Sequence, residues 1–259
     1  MHERPQPHGG KISIRLLAPY IFSAAALATS ACTNNDNPLN PPIGQLRVAN
    51  AIADSQPIDA TVSNIPSGID NVVFGTGSGL KDVPDGSYDV HLTTVHNSSQ
   101  VGFTAASTHI DKHHATTVYA IGRLSADTQA AFVVEADEPE IMSNQSEAQF
   151  VNAASQHPGP LDFYVTAPGA ALASSIPTTT LSFPANNQTA IFTPGAYRIR
   201  VTPQGNSLTV IYDSGSVQFP SATTQQFALL DNADLSADSP PFLLVLGGQG
   251  SSSTIANAP

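Results

Sequence analysis

The chain has 259 residues, with 20 Asp and Glu against nine Lys and Arg, eight His, one Cys and no Trp. Nucleic-acid binding rests on Lys and Arg clusters that neutralise phosphate, so an acidic chain argues against that class. A single Cys excludes an intrachain disulfide scaffold. With 41% hydrophobic and only 11% charged residues, the composition provides enough apolar side chains for a core, and its abundance of Ser, Thr, Asn, Gly and Pro favours strands joined by turns.

The N-terminus carries Arg4, Lys11 and Arg15, followed by the apolar run Leu16–Ala28 and then Thr29-Ser30-Ala31-Cys32. A basic start, a short apolar stretch and small residues before a cut describe a secretory signal peptide, here 1–31. The stretch is shorter than the roughly 20 residues a spanning helix needs. Small residues followed by the chain's only Cys resemble a bacterial lipobox, although Thr29 stands where Leu is usual. The resemblance implies lipidation of Cys32, and Thr33, in place of Asp, implies anchoring to the outer membrane if the source is Gram-negative.

Residues 32–44, with Asn, Pro and Asp and no apolar period, predict a flexible tether. Twelve residues of it would span roughly 40 Å. The Gly- and Ser-rich end, 247–259, predicts a disordered tail. Cleavage before Cys32 leaves six basic and 19 acidic residues, a net charge of −13.

Between tether and tail a module occurs twice. Val48-Ala49-Asn50-Ala51 returns as Phe150-Val151-Asn152-Ala153, and Pro57–Val62 as Pro160–Val165. Val73-Phe74 answers to Ser182-Phe183, and Pro84–Tyr88 to Thr193–Tyr197. Ala115-Thr116-Thr117 matches Ala222-Thr223-Thr224, and Leu124–Asp127 matches Leu235–Asp238. Two tandem domains are expected, at 45–140 and 146–246, with Glu138-Pro139-Glu140 near the joint.

The period is two. In Tyr88-Asp89-Val90-His91-Leu92 and Tyr197-Arg198-Ile199-Arg200-Val201, alternate residues are apolar, which predicts strands with one buried face. In the first copy further strands are predicted at Leu46–Ala51, Ile58–Val62, Val72–Phe74, Val101–Ala105, Thr117–Ile121 and Ala131–Glu135. In the second they fall at Ala148–Ala153, Leu161–Val165, Thr180–Phe183, Leu208–Tyr212, Gln225–Leu230 and Phe242–Leu246. Short strands between Gly, Pro, Asn and Asp predict an all-β fold of two antiparallel sandwiches.

The Val-x-Asn-Ala start, the Pro-Ile/Leu-Asp-x-x-Val strand, the Pro-x-Gly-Ser/Thr-Tyr turn and the tandem arrangement resemble the bacterial domain of unknown function 4397. The resemblance covers about 200 of the 228 mature residues. It implies an exported, immunoglobulin-like β-sandwich and brings no catalytic or binding residues with it.

Five residues are weak metal candidates: His109, His113, His114, Asp231 and Asp234. Zinc ligands must lie roughly 2 Å from one ion, and strand positions four apart are roughly 13 Å apart, so His109 and His113 meet only at a sharp bend. Aligning the Ala-Thr-Thr motifs sets Ser216, Pro220 and Ser221 opposite the three histidines, and a solvated loop is expected there. Asp82, Asp85, Asp89, Asn232 and Asp238 are oxygen donors suited to calcium, but they fit no calcium loop and serve equally as turn formers. Gly75-Thr76-Gly77-Ser78-Gly79 lacks the Lys-Ser/Thr of a phosphate loop and the spacing of a nucleophile elbow, so a flexible turn is expected. Asp59 and Asp162, recurring within a strand between apolar neighbours, fit a functional carboxylate, a turn cap or a bond to a neighbouring backbone amide alike, and their duplication favours a structural role.

No catalytic residues, cofactor or nucleic-acid partner are expected. The reading is a lipid-anchored envelope protein acting as a non-catalytic binding, adhesion or structural module on an envelope protein or surface ligand. The alternative is a periplasmic hydrolase with an unrecognised His/Asp site.

Overall fold

A computed structural model describes residues 42–137, 142–236, 239–248 and 250–258. The signal peptide, Cys32, most of the tether, Glu138, Glu140 and Asp238 lie outside the described residues. Within them, all regular structure is strand except one 3-10 turn, Leu172–Ser174, and no helix is long and apolar enough to cross a membrane.

The first half contains β1 (Ile43–Asn50), β2 (Ile58–Val62), β3 (Ile65–Val72), β4 (Lys81–Pro84), β5 (Gly86–His96), β6 (Ser99–Ile110), β7 (His114–Ile121) and β8 (Ala130–Asp137). They form two sheets, ordered β4-β1-β7-β8 and β3-β2-β5-β6. The second half contains β9 (Ser146–Asn152), β10 (Leu161–Thr166), β11 (Thr179–Leu181), β12 (Ala185–Asn186), β13 (Ala190–Phe192), β14 (Gly195–Pro203), β15 (Tyr212–Asp213), β16 (Val217–Phe219), β17 (Thr223–Leu230), β18 (Phe242–Gly247) and β19 (Ser252–Ile255). Its sheets run β12-β9-β17-β18-β19, with β13 also on β9, and β11-β10-β14-β15, with β16 also on β14.

Both halves therefore share one plan. The strand after the first connection, β2 or β10, pairs with the strand that follows the Gly-x-Tyr turn, β5 or β14. Each half also holds a parallel pair, β1 with β7 and β9 with β17. The sheets are antiparallel-rich, as expected, with this one parallel pair in each half: the chain crosses to the opposite sheet and returns before β7 or β17, which is the long connection that parallel neighbours require.

Alternation explains the layers. Leu46 and Val48 on β1 enter a core with Ile58, Val90, Leu92 and Val118, between the first two sheets. Phe150 on β9 enters a second core with Phe163, Ile199, Val201, Phe219 and Phe227. The other face of β1 carries Ala49, which joins Tyr119, Ile121, Val151, Ala153, Ala228, Leu230, Leu244 and Leu246 in a third cluster. This cluster lies between the β4-β1-β7-β8 sheet and the β9-β17-β18 sheet, so four sheets stack in sequence. Ala49, Ala51, Ala153 and Ala228 leave room for the close approach of two sheets.

Several segments depart from expectation, among them Val72–Phe74, where β3 ends at Val72 and Phe74 lies in a turn. The tail is not disordered over its described length: Ser252–Ile255 adds to β18 as β19, and the Ala258 amide donates to the Asp213 carbonyl (2.7 Å). Backbone donors and acceptors along an open edge provide what the polar composition hides. Leu208 is not in a strand but 90% exposed, because Asn206 closes a turn, its carboxamide oxygen accepting from the Leu208 amide (3.2 Å) and its Nδ2 donating to Thr209 (3.0 Å).

Candidate functional site

The recurring polar residues hold the sandwiches together. Asn50 is fully buried where β1 ends; its Nδ2 donates to the Val72 carbonyl (3.1 Å) and its Oδ1 accepts from the Ile52 amide (2.9 Å). Asn152 repeats this with Leu181 (3.4 Å) and Ala154 (3.2 Å). In each copy the Asn turns the chain and ties the first strand to the opposite sheet, satisfying buried backbone groups. Tyr88 and Tyr197 likewise donate to carbonyls four residues upstream, Pro84 (3.0 Å) and Thr193 (2.8 Å). Gly86 and Gly195 precede them with φ of 156° and 157°, and a Cβ on Gly86 would lie 3.1 Å from the Tyr88 hydroxyl.

Of the open readings, the strand carboxylates take the amide-bonding one, but unequally. Asp59 accepts from the Asn71 amide (2.8 Å) at the surface. Asp162 is buried and accepts from Thr180 Oγ1 (2.6 Å) and the Gly205 amide (2.7 Å). Between loops the carboxylate changes sides. Asp54, before β2, accepts from the amides of Leu124 (3.0 Å) and Ser125 (2.8 Å). In the second half Asp231, after β17, accepts from Ser155 Oγ (2.7 Å) and the Gln156 amide (3.1 Å). Burial alone would raise the Asp54 carboxyl, but the hydrogen bonds from Ser125 and Leu124 outweigh it and hold it below the ordinary value.

The metal candidates do not converge. Among the described residues no three His, Cys, Asp or Glu side chains form a metal set. His109 pairs with Asp111 (3.0 Å) and its Nδ1 meets Ser87 Oγ (3.2 Å). His113 occupies the turn before β7 with φ 65°. Asp234 caps its own turn at the Ser236 amide (3.2 Å), while Asp231 is engaged as above. Asp85 and Asp89 accept from the amides of Lys112 (3.0 Å) and Ser107 (2.9 Å), and Asp82 meets Gln45 (3.4 Å).

The Ala-Thr-Thr alignment is corrected by two residues. β1 pairs Val48 with Val118, and β9 pairs Phe150 with Phe227. The counterpart of Thr117 is therefore Gln226, and that of His113 is Ala222, whose φ is also positive, at 53°. His109 and His114 correspond to Gln218 and Thr223. Pairing partners, not local identity, determine equivalence along a strand.

Gly75–Gly79 is no flexible turn. The Gly75 amide donates to the Asn50 carbonyl (2.9 Å) and the Ser78 amide to the Val48 carbonyl (2.8 Å), so the segment lies along the β1 edge. A Cβ on Gly77 would fall 2.6 Å from Leu246 of the second half. Here glycine permits close approach rather than phosphate binding.

Two charged clusters have no counterpart in the sequence reading. Arg47 is 2% exposed in the layer between the halves. Its Nε donates to Thr117 Oγ1 (2.8 Å), Nη1 to the Gly247 carbonyl (2.8 Å) and Nη2 to Gln226 Oε1 (2.9 Å). Gln226 Oε1 also accepts from Thr117 and Tyr119, and its Nε2 donates to Gln149. Burial draws the Arg47 guanidinium below its usual value and pushes the Tyr119 hydroxyl well up. The signal was an Arg inside an apolar strand and the Gln225-Gln226 pair inside another. On the outer face of β14, Arg198 Nε donates to Asp213 Oδ1 (2.8 Å) and its Nη2 to Oδ2. Burial would raise Asp213, but these bonds and the Gly215 amide keep it below the carboxylate range.

One groove of about 750 Å³ opens at the loop end of the first half, lined by Asp54, Gln56, Asp59, Asn71, His96 and Asn97 among others. It collects carboxylates from the β1–β2 connection and β2 and an imidazole from β5. Both carboxylates already accept backbone amides. Among the described residues His96 makes no hydrogen bond to either carboxylate or to Ser98, so no nucleophile–base pair is assembled. The groove can offer polar contacts to a ligand. In the second half Gly205, the counterpart of His96, donates to Asp162 (2.7 Å), and that carboxylate is buried.

Residues 44–164 match the DUF4397 family, described as a domain of unknown function. The DUF4397 match takes in all eight strands of the first half and continues into β9 and β10. Asn50, Asp59 and Tyr88, whose structural roles are given above, therefore lie inside it. No curated protein matches the chain.

Proposed function

We propose that this is a lipid-anchored protein of the bacterial cell envelope, built from tandem copies of the DUF4397 domain, that acts as a non-catalytic binding, adhesion or structural module. The observation that carries the reading is the use of the recurring polar residues. Asn50, Asp54, Asp59, Asn152, Asp162 and Asp231 all hold backbone amides or carbonyls. A carboxylate whose oxygens accept backbone amides is held in its charged form and is a weaker base. The layer shared by the two halves supports a stiff body, on which the groove between Asp54 and the β5–β6 hairpin is a concave surface that can take a ligand.

The anchor reading rests on the single Cys following Thr29-Ser30-Ala31. Cys32→Ala should move the protein from the membrane pellet to the soluble envelope fraction; an unchanged distribution after alkaline washing would overturn it. A hydrolase is the second reading, favoured only by the meeting of Asp54, Asp59 and His96 at one groove. The engagement of both carboxylates by amides places it behind the module.

A further inference from the structure

The sheet edges are not equally protected. β3 is bent by positive φ at Gly68 (53°) and Asn71 (58°), and β4 has four residues, including Lys81 and Pro84. β11, β12, β13, β15 and β16 have two or three residues each. Along β8, Gln149 Nε2 of the second half donates to the Glu135 carbonyl (3.1 Å). Short length, kinks, charge and covering are the devices by which edges avoid pairing with another chain.

β6 lacks them. It has 12 residues, and among the described residues its backbone pairs with β5 alone. From Ser99 to Thr108 it contains no charged residue and no proline. Its ladder is uninterrupted until the bulge at Ser107, where φ is 51°.

The second half shows what covers the equivalent edge. The Asp213 amide donates to Asn257 Oδ1 (2.7 Å), the Ala258 amide to the Asp213 carbonyl (2.7 Å), and Tyr212 Oη to the Ile255 carbonyl (3.2 Å). That cover exists because the chain after β18 is free to turn back through β19. After β8 the chain must run on into β9, so no such segment is left for β6.

We propose that the β6 edge is a self-association surface, on which β6 of a second copy pairs antiparallel about a two-fold axis. The two four-stranded sheets ordered β3-β2-β5-β6 would then join into one of eight strands. Three observations select a second copy as the occupant. An uncharged strand laid against itself adds no like-charge opposition within the ladder to the net charge of −13 that each mature copy already carries. The chain's own N-terminal stretch contains Pro38, Pro41 and Pro42, which lack the ladder amide. The C-terminal segment already lies on the other half.

The test uses the mature chain with Cys32→Ser, free of detergent, in sedimentation equilibrium together with amide hydrogen exchange. With rising concentration the mass should double and exchange within Ser99–Ala106 should slow at alternate residues. Gly102→Lys combined with Thr104→Lys should return the protein to monomer, since a Cβ on Gly102 meets nothing closer than 3.8 Å. Thr61→Lys, on the central strand β2, should leave the dimer intact. A monomer at the highest concentration reached, or a dimer whose β6 exchange is unchanged, would overturn the proposal. Should the double variant fail to fold, exchange in the unsubstituted strand still decides.

Discussion

The two halves follow one strand plan but fill it in opposite ways. Where the first places Val48, Ala60, Ile110 and Val118, the second places Phe150, Phe163, Phe219 and Phe227, all buried. The exchange is reciprocal, for Leu46 and Ile52 correspond to Ala148 and Ala154. Volume added on one side of the core is removed on the other, which is how packed interiors tolerate repeated substitution. In the second half the rings stack, Phe150 on Phe227 with centroids 5.6 Å apart and Phe219 on Phe227 at 5.2 Å. The loop ends diverge in the same spirit. Asp162 is bonded to Gly205 and buried, whereas Asp59 stays at the surface and lines a groove.

This contrast can be broken first in the cores. Phe227→Ala should cost about 3–5 kcal/mol in urea unfolding, and its counterpart Val118→Ala on the order of 2 kcal/mol, since fewer buried atoms are removed. Equal losses would show that the stacked rings contribute nothing beyond a small aliphatic core. Next come the carboxylates. Asp162→Ala strands the Thr180 hydroxyl and the Gly205 amide and should cost about 2–3 kcal/mol, while Asp59→Ala, releasing one surface amide, should cost below about 1 kcal/mol. A groove-side Asp59 as costly as Asp162 would remove the distinction between the surface and the buried carboxylate.

The smallest effect is in acid. Asp54 in the first half and Asp213 in the second are both held below the unfolded carboxylate value of about 3.9. Each contribution to stability is complete above that value and is lost as pH falls through the lower folded pKa, because the unfolded chain takes up its proton first. Asp54→Asn and Asp213→Asn should each flatten the decline in melting temperature below about pH 4. An unaltered acid limb in both variants would show that other carboxylates set it.

Much of the plan was legible. Ile58–Val62 alternates cleanly and is a strand over the same residues, and the Gly-x-Tyr turn could be read because its hydrogen bond spans four residues. The equivalence of Ala115-Thr116-Thr117 could not, since three small residues recur by chance two positions away from the true register. The tail was misjudged for a related reason: Ser252–Ile255 has little apolar content, and only the open edge of β18 makes it a strand. The duplication of Asp59 and Asp162 made a structural role legible, but the groove beside one of them depends on where the β5–β6 hairpin stands relative to β2.

The acidic composition, the lone Cys, the period of two and the double module are properties of the sequence itself, because each is local or a matter of counting. They were enough for an all-β fold in two similar halves. Tertiary structure alone decided that the halves share a buried layer around Arg47, that one loop end carries a groove, and that β6 is the bare edge. Each depends on which segments meet across more than 100 residues of chain, as Arg47 meets Gln226, and no local pattern encodes that meeting.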